Sequence, residues 1–286
     1  MTTLLVIGVP ASGKSTYIGA LRHLLVANEV PAELELTTLA DDEGHLNRLE
    51  EEWLSCNIVQ RTKSATEGWV KVNVRDRSTN AEAVLIIPDL RGEAFEQPAV
   101  IGQCQKDLHD ALTLTDGIML FTNADREGDT LMIDDFGDMI LDENDGEGGE
   151  DMEKDDECLK PFRPEDIPEE AKIVEFLQVA NRRPWPPRPR KIAVIASAWD
   201  VINPEANITP DTWLKANRPM LEQFLSANSE LWNMRVYGIS AQGGKLPDKK
   251  DELEIVRRPS ERINVVGHGA SPHDLTAPLQ WLMMTA

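Results

Sequence analysis

The sequence predicts an α/β fold: a mostly parallel sheet, covered by helices on both faces, with one antiparallel hairpin strand. Three observations predict it. Short continuous apolar runs, the form taken by strands buried on both faces, alternate with longer segments whose apolar residues recur at helical spacing. Two runs, 69–74 and 83–87, are joined by a turn signal at residues 77–80, which favours a hairpin. With 286 residues, 41% of them hydrophobic, the chain can bury a sizeable core.

The elements follow one another in the order that such a fold requires. The apolar run 3–9 predicts the first strand, and the spacing of apolar residues over 14–28 predicts the first helix. For a helix over 209–227, Thr209 is a suitable N-terminal cap and Pro210 a suitable first residue. The other predicted helices are 46–56, 99–114, 169–180 and 275–284, and the other predicted strands are 117–121, 192–196 and 235–239. Trp232 and Trp281, at the ends of apolar runs, are predicted core residues.

Composition excludes several classes of protein. The net charge is −21, from 29 basic and 50 acidic residues, so direct binding to nucleic acid or to a membrane is not expected. The cysteines Cys56, Cys104 and Cys158 form no CxxC pair and no disulfide framework, which fits a reducing compartment. No apolar run reaches the roughly 20 residues that a membrane helix needs. We therefore expect a cytoplasmic protein.

One segment stands out by its charge. Between Asp134 and Glu157 there are thirteen acidic residues and one basic residue, Lys154. Such a stretch repels itself and carries too little apolar surface to offset its ordering entropy. We expect a single domain over residues 1–286, with residues 125–165 as an acidic, flexible insertion within it.

The strongest motif opens the chain. Residues 8–15 match the phosphate-binding pattern GxxxxGK[ST] without a deviation, between a predicted strand and a predicted helix. Glycines let the backbone wrap a phosphate, and the helix N-terminus adds positive potential. Lys14 would reach the β- and γ-phosphates, and the Ser15 hydroxyl would bind Mg²⁺. The candidate nucleotide-binding residues of this loop are Gly8, Pro10, Ala11, Ser12, Gly13, Lys14, Ser15 and Thr16.

A second motif, Asp89-Leu90-Arg91-Gly92, follows the strand predicted over 83–87. At the carboxyl end of a strand, the Asp89 carboxylate can face the phosphate pocket and hold Mg²⁺, through water. The Gly92 N–H would meet the γ-phosphate, which only the triphosphate carries. The motif therefore predicts a sensor of the nucleotide state.

Two further segments are placed to read the base. Ser197-Ala198-Trp199-Asp200 follows the strand over 192–196, where GTPases carry [N/T]KxD and its aspartate reads guanine. Asp200 stands in the right place, but the asparagine and the lysine are missing, which puts guanine selectivity in question. Ser240-Ala241-Gln242 follows the next strand, where the backbone N–H of an SA pair can meet the guanine oxygen. Asp200, Ser240 and Ala241 are the candidate base-binding residues.

The set GVPASGKST, DLRG, SAWD and SAQ, with a hairpin between the first two, resembles the Ras-like, TRAFAC-class P-loop GTPases. More narrowly, residues 87–93, 166–168 and 274–282 are similar to the bacterial double-GTPase and GTPase-associated families of predicted conflict and phage-defence gene clusters. The resemblance implies a three-layer Ras-like fold, GTP and GDP as ligands, Mg²⁺, two switch loops and protein partners encoded nearby.

The resemblance also implies a switch threonine just before the hairpin, for which Thr66 is the first candidate and Thr62 the second. Ser15, Thr66 and Asp89 are then the expected magnesium ligands. Many GTPases place glutamine directly after the DxxG glycine, where this chain has Glu93. The candidate catalytic residues are Lys14, Arg91 as an internal arginine finger and Glu93, with Gln97 as a possible substitute. We expect slow hydrolysis or dependence on a partner.

Three functions remain open on the sequence. The first is a GTPase switch in a multiprotein system, which the hairpin and the Asp200/Ser240 pair favour. The second is a P-loop kinase for a small molecule or a polynucleotide, with arginines between Arg182 and Arg190 serving a lid. The third is a nucleotide-binding scaffold with little turnover. The five histidines form no zinc-binding spacing.

Overall fold

The computed structural model describes residues 1–38, 43–57, 68–89, 92–125, 167–182 and 187–284, and five residues in these ranges by backbone alone. Those five are Thr38, Gly68, Asp89, Gly92 and Glu93. Most of the expected acidic insertion, from residue 126 onward, lies outside the described residues, as do Thr62, Thr66, Arg91 and Cys158.

The described residues form one eight-stranded sheet in the order β2-β3-β4-β1-β5-β6-β7-β8. The central pairs β4–β1, β1–β5, β5–β6 and β6–β7 are parallel, whereas β2–β3, β3–β4 and β7–β8 are antiparallel. The strands are β1 Thr2–Gly8, β2 Leu34–Thr38, β3 Gly68–Asp76, β4 Glu82–Asp89, β5 Gly117–Asn123, β6 Arg190–Ser197, β7 Trp232–Ser240 and β8 Asn264–Val266. The mostly parallel α/β sheet with an antiparallel hairpin is confirmed.

Helices connect the strands and cover both faces of the sheet. The α-helices are α1 Lys14–Ala27, α2 Glu43–Leu54, α3 Gln97–Ile101, α4 Lys106–Leu114, α5 Glu169–Val179, α6 Pro210–Asn217, α7 Pro219–Ala227, α8 Lys250–Glu254 and α9 Ala277–Met283. Short 3₁₀ helices span Gly92–Phe95, Trp199–Val201, Pro204–Ala206 and Pro259–Arg262. No helix in the described ranges combines the length and the apolar character that crossing a bilayer requires.

Alternation along β1 divides the core between the two faces. Leu4 and Val6 point to a cluster that includes residues of α1, α2 and α9. Leu5 and Ile7 point to a second cluster that includes residues of α4, α5, α6 and α7. Because the side-chain period of a strand is two, one apolar strand serves both layers of helices. Trp281 lies in the first cluster and Trp232 in the second, so both predicted core residues are buried.

Two long predicted helices are each interrupted. The helix predicted over 99–114 was wrong as a single element, because α3 ends at Ile101 and its C-terminal cap, Gly102, takes the left-handed conformation with φ 67°. The helix predicted over 209–227 is likewise two helices. Pro219 starts the second one, and Arg218 before it is driven out of the helical region, with φ −136° and ψ 56°.

Strands β2 and β8 were not predicted from the sequence. Both lie at edges of the sheet, and β8 has only three residues. In β2 only Leu34 is fully buried among the side chains described, so the strand carries little apolar signal. An edge strand pairs on one side and needs few buried side chains, which explains why periodicity missed both.

The turn of the β3–β4 hairpin is held by Asp76. Its carboxylate accepts hydrogen bonds from the backbone N–H groups of Ser78 and Thr79, both at 2.8 Å, and from the Ser78 hydroxyl at 2.6 Å. Burial alone would raise the pKa of the Asp76 carboxyl, but these hydrogen bonds, with one from the Gln280 side chain, outweigh it and lower the pKa to about 2.

We expect Asp76→Asn to lower the free energy of unfolding at pH 7 by about 1–2 kcal/mol, because charged acceptors bind these donors more strongly. Since the folded-state pKa lies below the unfolded value, the contribution is complete above about pH 4 and is lost as the pH falls towards 2. Urea unfolding at pH 7 and pH 3 measures it. Asp248→Asn, at an exposed site, is the control. A difference between wild type and Asp76→Asn that stays constant between the two pH values would contradict this account.

Candidate functional site

The loop between β1 and α1 lies at the carboxyl edge of the parallel strands. Ala11 and Gly13 both adopt the left-handed conformation, with φ 59° and 85°. Gly13 is the N-terminal cap of α1 and supplies no side-chain hydrogen bond to the first turn. The first N–H groups of α1 are therefore left for an acceptor outside the helix, which is the arrangement that binds phosphates and other anions.

The glycines of this loop are required by close contacts. A Cβ atom on Gly13 would lie 2.6 Å from the Ser197 hydroxyl oxygen and 2.7 Å from its Cβ. A Cβ atom on Gly8 would lie 2.7 Å from the Ser12 hydroxyl oxygen and 2.8 Å from the Phe121 carbonyl oxygen. The backbone of the loop therefore passes where only glycine fits.

Lys14 turns its ammonium group into the loop. Its Nζ donates to the carbonyl oxygens of Gly8 at 2.6 Å and Val9 at 2.7 Å, and to the Ser12 hydroxyl at 3.1 Å. Burial lowers the pKa of Lys14 to about 8, and the negative charge of Glu169 acts in the opposite direction. A cation held by three neutral oxygens of its own loop fits an anionic ligand such as a nucleotide phosphate.

Ser197 links the phosphate loop to the strand β6. Its hydroxyl donates to the Ser12 carbonyl oxygen at 2.9 Å, across 185 residues of sequence. Ala198, the next residue, adopts the left-handed conformation with φ 53° and leads into the short 3₁₀ helix Trp199–Val201. The Trp199 side chain is buried against Gly238. The segment that lacks the asparagine and lysine of the GTPase pattern thus still contacts the phosphate loop, through a serine.

The two predicted base-reading segments meet at the ends of β6 and β7. The Ser240 hydroxyl donates to the Asp200 carboxylate in a very short hydrogen bond and accepts one from the Gly243 N–H at 3.1 Å. Ala241 follows Ser240 and is largely buried. The structure therefore brings Asp200, Ser240 and Ala241 together, as the sequence predicts.

The predicted magnesium ligands are described only in part. Ser15 lies in the first turn of α1. Asp89 ends β4, and Gly8 ends β1, its parallel neighbour, so both backbones finish at the same edge of the sheet. The side chains of Asp89 and Glu93 and the whole of Thr62, Thr66 and Arg91 lie outside the described residues. Gly92 begins a 3₁₀ helix, and Gln97 begins α3.

A buried polar network beside the loop was not predicted from the sequence. Arg218, 2% exposed, donates from Nε to the Thr122 hydroxyl at 2.9 Å and from Nη2 to the Asn123 carbonyl oxygen at 3.1 Å. The Thr122 hydroxyl donates to Glu169 at 2.8 Å, and the Asn123 amide donates to the Ala11 carbonyl oxygen at 3.3 Å. The network therefore runs from α5 and Arg218 to the phosphate loop. The sequence signal that could have indicated this network is Arg218, a charged residue that precedes a proline within an apolar helical pattern.

Helix α5 also contacts the residues that follow the DxxG motif. Lys172 of α5 forms an ion pair with Glu96 at 3.0 Å, and the two side chains are 11% and 21% exposed. Phe176 of α5 packs edge-to-face on Phe95, with ring centroids 5.5 Å apart. The Phe95 ring centroid in turn lies 5.5 Å from the Lys14 ammonium. The segment after Gly92 thus contacts both Lys14 of the phosphate loop and helix α5, through Phe95.

Among solved structures, the fold is similar to translation elongation factor SelB from Methanococcus maripaludis in complex with the GTP analogue GppNHp. The identity is 13% and the TM-score 0.37, over 88% of this chain and 32% of that one. The GTP-bound Ski7 GTPase-like domain of S. cerevisiae matches at 14% identity and TM-score 0.41, over 85% and 43% of the two chains. This chain thus spans about a third of the length of the first and less than half of the second.

A third match is the signal recognition particle receptor SRb-GTP/SRX complex from Chaetomium thermophilum. The identity is 12% and the TM-score 0.38, over 88% of this chain and 95% of that one. No curated protein sequence matches the chain.

The assignment to a family comes from the sequence itself. The model of the Double-GTPase 1 family matches residues 5–282, which include all four motifs and the polar network. The resemblance to double-GTPases is thereby confirmed, and membership supports a P-loop that binds a guanine nucleotide. This chain belongs to the Double-GTPase 1 family.

Proposed function

We propose that this protein binds GTP with Mg²⁺ and hydrolyses it as a nucleotide-controlled switch in a multiprotein system. One observation carries the proposal: the segments 8–15, 197–200 and 240–241 and the backbone of Asp89 lie at one edge of the sheet, where the phosphate loop holds the Lys14 ammonium. Such an edge is where open α/β sheets bind nucleotides.

In this proposal the loop residues 8–16 hold the phosphates, with Lys14 on the β- and γ-phosphates. Ser15, Asp89 and Thr66 would hold Mg²⁺, with Thr62 as the alternative to Thr66. The ion supplies charge neutralisation for phosphoryl transfer. Gly92 would contact the γ-phosphate through its N–H, and the segment that follows it would respond to the loss of that phosphate.

Base recognition is proposed to rest on the Asp200 carboxylate and the Ala241 N–H. The Ser240 hydroxyl, which bonds Asp200, holds the carboxylate in place. Ser197 takes over the contact to the phosphate loop that an asparagine could make. Because Ala198 has no long aliphatic stem to pack on the base, selectivity depends on hydrogen bonds more than on stacking.

Hydrolysis is proposed to be slow, or to depend on a partner. Glu93 follows the DxxG glycine, and a carboxylate there adds negative charge near the charge that develops on the γ-phosphate. Arg91 is the proposed internal arginine finger, and Gln97 the alternative group for orienting water. Phosphate release from GTP, measured alone and with proteins encoded in the same gene cluster, tests this point. The resemblance to phage-defence families makes those proteins the proposed partners, and residues 125–165 the proposed insertion within a single domain.

We expect Asp200→Ala to weaken GTP and GDP binding about 10- to 100-fold, because a charged acceptor of guanine hydrogen bonds is lost. ATP affinity should not change, since adenine offers no matching donors to that carboxylate. Dissociation constants for GTP, GDP and ATP with Mg²⁺ measure both effects. Asp251→Ala, an exposed carboxylate of α8, is the control for net charge.

Two results would contradict the assignment. Equal affinity of the wild-type protein for GTP and ATP would favour the kinase, whose acceptor could then be sought. Unchanged GTP affinity in Asp200→Ala would show that this carboxylate does not read the base.

A further inference from the structure

Helix α2 contacts the loop Ser240–Gly243, which is here called the base loop. Trp53, near the end of α2, has no exposed surface, and its indole Nε1 donates to the Ala241 carbonyl oxygen at 2.9 Å. The Trp53 carbonyl oxygen in turn accepts from the Gln242 side-chain amide at 3.4 Å. Trp53 and the base loop are 188 residues apart in sequence, so this is a purely tertiary contact.

Arg262 holds Trp53 from the other side. The centre of its guanidinium lies 4.3 Å from the Trp53 ring centroid, and Nη2 donates to the Trp53 carbonyl oxygen at 3.4 Å. Nη1 lies 2.7 Å from the Cys56 sulfur. Gly243 runs so close to the Arg262 carbonyl oxygen that a Cβ atom would lie 2.4 Å from it. The base loop is therefore enclosed by α2 and by the 3₁₀ helix Pro259–Arg262.

Ala241 takes part in two peptide groups, one on each side of its Cα atom, and Trp53 fixes the second of them. Trp53 binds the carbonyl oxygen of the plane that follows the Cα atom. The plane that precedes it, which carries the Ala241 N–H, is held through Ser240 by Asp200 and the Gly243 N–H. A donor that must meet one oxygen of the base gains affinity when it is already oriented before binding.

We infer that Trp53 is a positioning residue for guanine selectivity, acting through the Ala241 N–H without touching the nucleotide. The inference rests on the proposed function and extends it to a helix that carries none of the nucleotide-binding motifs. Arg262 supports Trp53 in this role by packing on its ring. The phosphate loop is held by other contacts, from Ser197 and Asn123, so the Trp53 indole N–H acts on the base loop. The Trp53 ring also packs on His23 of α1, with ring centroids 5.3 Å apart, so the test variant must keep an aromatic ring there.

The test is Trp53→Phe, which keeps a buried aromatic ring and removes the indole N–H donor together with the five-membered ring that carries it. We expect GDP affinity to fall about three- to tenfold, the effect of one hydrogen bond, while ADP and inorganic pyrophosphate affinities stay unchanged. The GDP-to-ADP affinity ratio is the informative quantity, because general loosening of the fold would lower all three affinities together. Titration calorimetry with the full chain measures them.

Trp232→Phe is the matched control. Trp232 lies on β7, the strand that leads to the base loop, and is 2% exposed, but its indole Nε1 has no hydrogen-bond partner among the described residues. The same substitution there should leave the GDP-to-ADP ratio at the wild-type value. If Trp53→Phe does not fold, Arg262→Met provides the second variant, and it should lower the ratio in the same direction.

The outcomes separate the inference from the proposed function. A wild-type protein that binds GDP and ADP equally would overturn guanine recognition itself, and the role of Trp53 with it. A guanine-selective wild type whose ratio is unchanged in Trp53→Phe would overturn the role of Trp53 alone. A ratio that falls equally in Trp232→Phe would also overturn it, because the loss would then follow from any change to the core.

Discussion

Replacing Gly13 with alanine is expected to weaken GTP and GDP binding at least about 100-fold. Two causes act together. An L-residue at φ 85° is strained by about 1 kcal/mol, and the new Cβ would sit 2.6 Å from the Ser197 hydroxyl oxygen. The backbone must shift to relieve that contact, which moves the N–H groups that face the phosphates. Since several of these hydrogen bonds go to a charged ligand, their loss amounts to about 3 kcal/mol.

Gly102→Ala is the control that introduces backbone strain without a steric clash. Gly102 also has a left-handed backbone, with φ 67°, but no atom lies within 4 Å of the position its Cβ would take. This control should lose about 1 kcal/mol of stability and keep full nucleotide affinity. A double variant, Gly13→Ala with Ser197→Gly, should recover part of the binding because it removes both colliding atoms. Wild-type affinity in Gly13→Ala alone would mean that the nucleotide does not bind in this loop.

Replacing Arg218 with methionine is expected to lower the free energy of unfolding by about 3–4 kcal/mol. Methionine fills much of the volume, but it leaves the Asn123 carbonyl oxygen and the Glu169 carboxylate without the guanidinium, whose Nη2 lies 3.8 Å from Glu169. A buried polar group left without its partner retains its full desolvation penalty. Urea unfolding followed by circular dichroism measures the change.

An exposed arginine provides the comparison. Arg182 forms an ion pair with Glu175 at 2.8 Å, but its side chain is 50% exposed. Arg182→Met should therefore change stability by less than about 1 kcal/mol. If Arg218→Met were as stable as Arg182→Met, the network beside the phosphate loop would not be a structural element of the fold.

Most of the fold could be predicted from the sequence because its central strands are buried on both faces. Strands of that kind are continuous apolar runs, and β1, β5 and β6 were recognised on that basis to within about two residues at either end. The phosphate loop was predictable for another reason. The residues that form it are adjacent in sequence, so the sequence motif alone specifies the conformation of the loop.

The remainder of the site depends on contacts between distant parts of the chain. The sequence shows a serine at position 197 where a GTPase has asparagine or threonine, but only the structure shows that its hydroxyl binds the Ser12 carbonyl oxygen. The contacts of Trp53 with Ala241 and of Arg218 with Thr122 likewise leave no local pattern. The sequence also predicts one continuous helix where the structure has two, separated at Arg218. That prediction gives more weight to the apolar 3.6-residue period than to Pro219, which disfavours a helical backbone at the residue before it.

The hydrogen bond between Thr122 and Glu169 joins two residues 47 positions apart, at the end of β5 and the start of α5. This hydrogen bond joins the two ends of the intervening stretch directly. In general, doubling the length of the chain between two fixed ends costs only about 0.6 kcal/mol in closure entropy. Homologues are thus free to lengthen, shorten or replace this stretch over evolution while the nucleotide pocket stays the same, and length polymorphism among them should concentrate here.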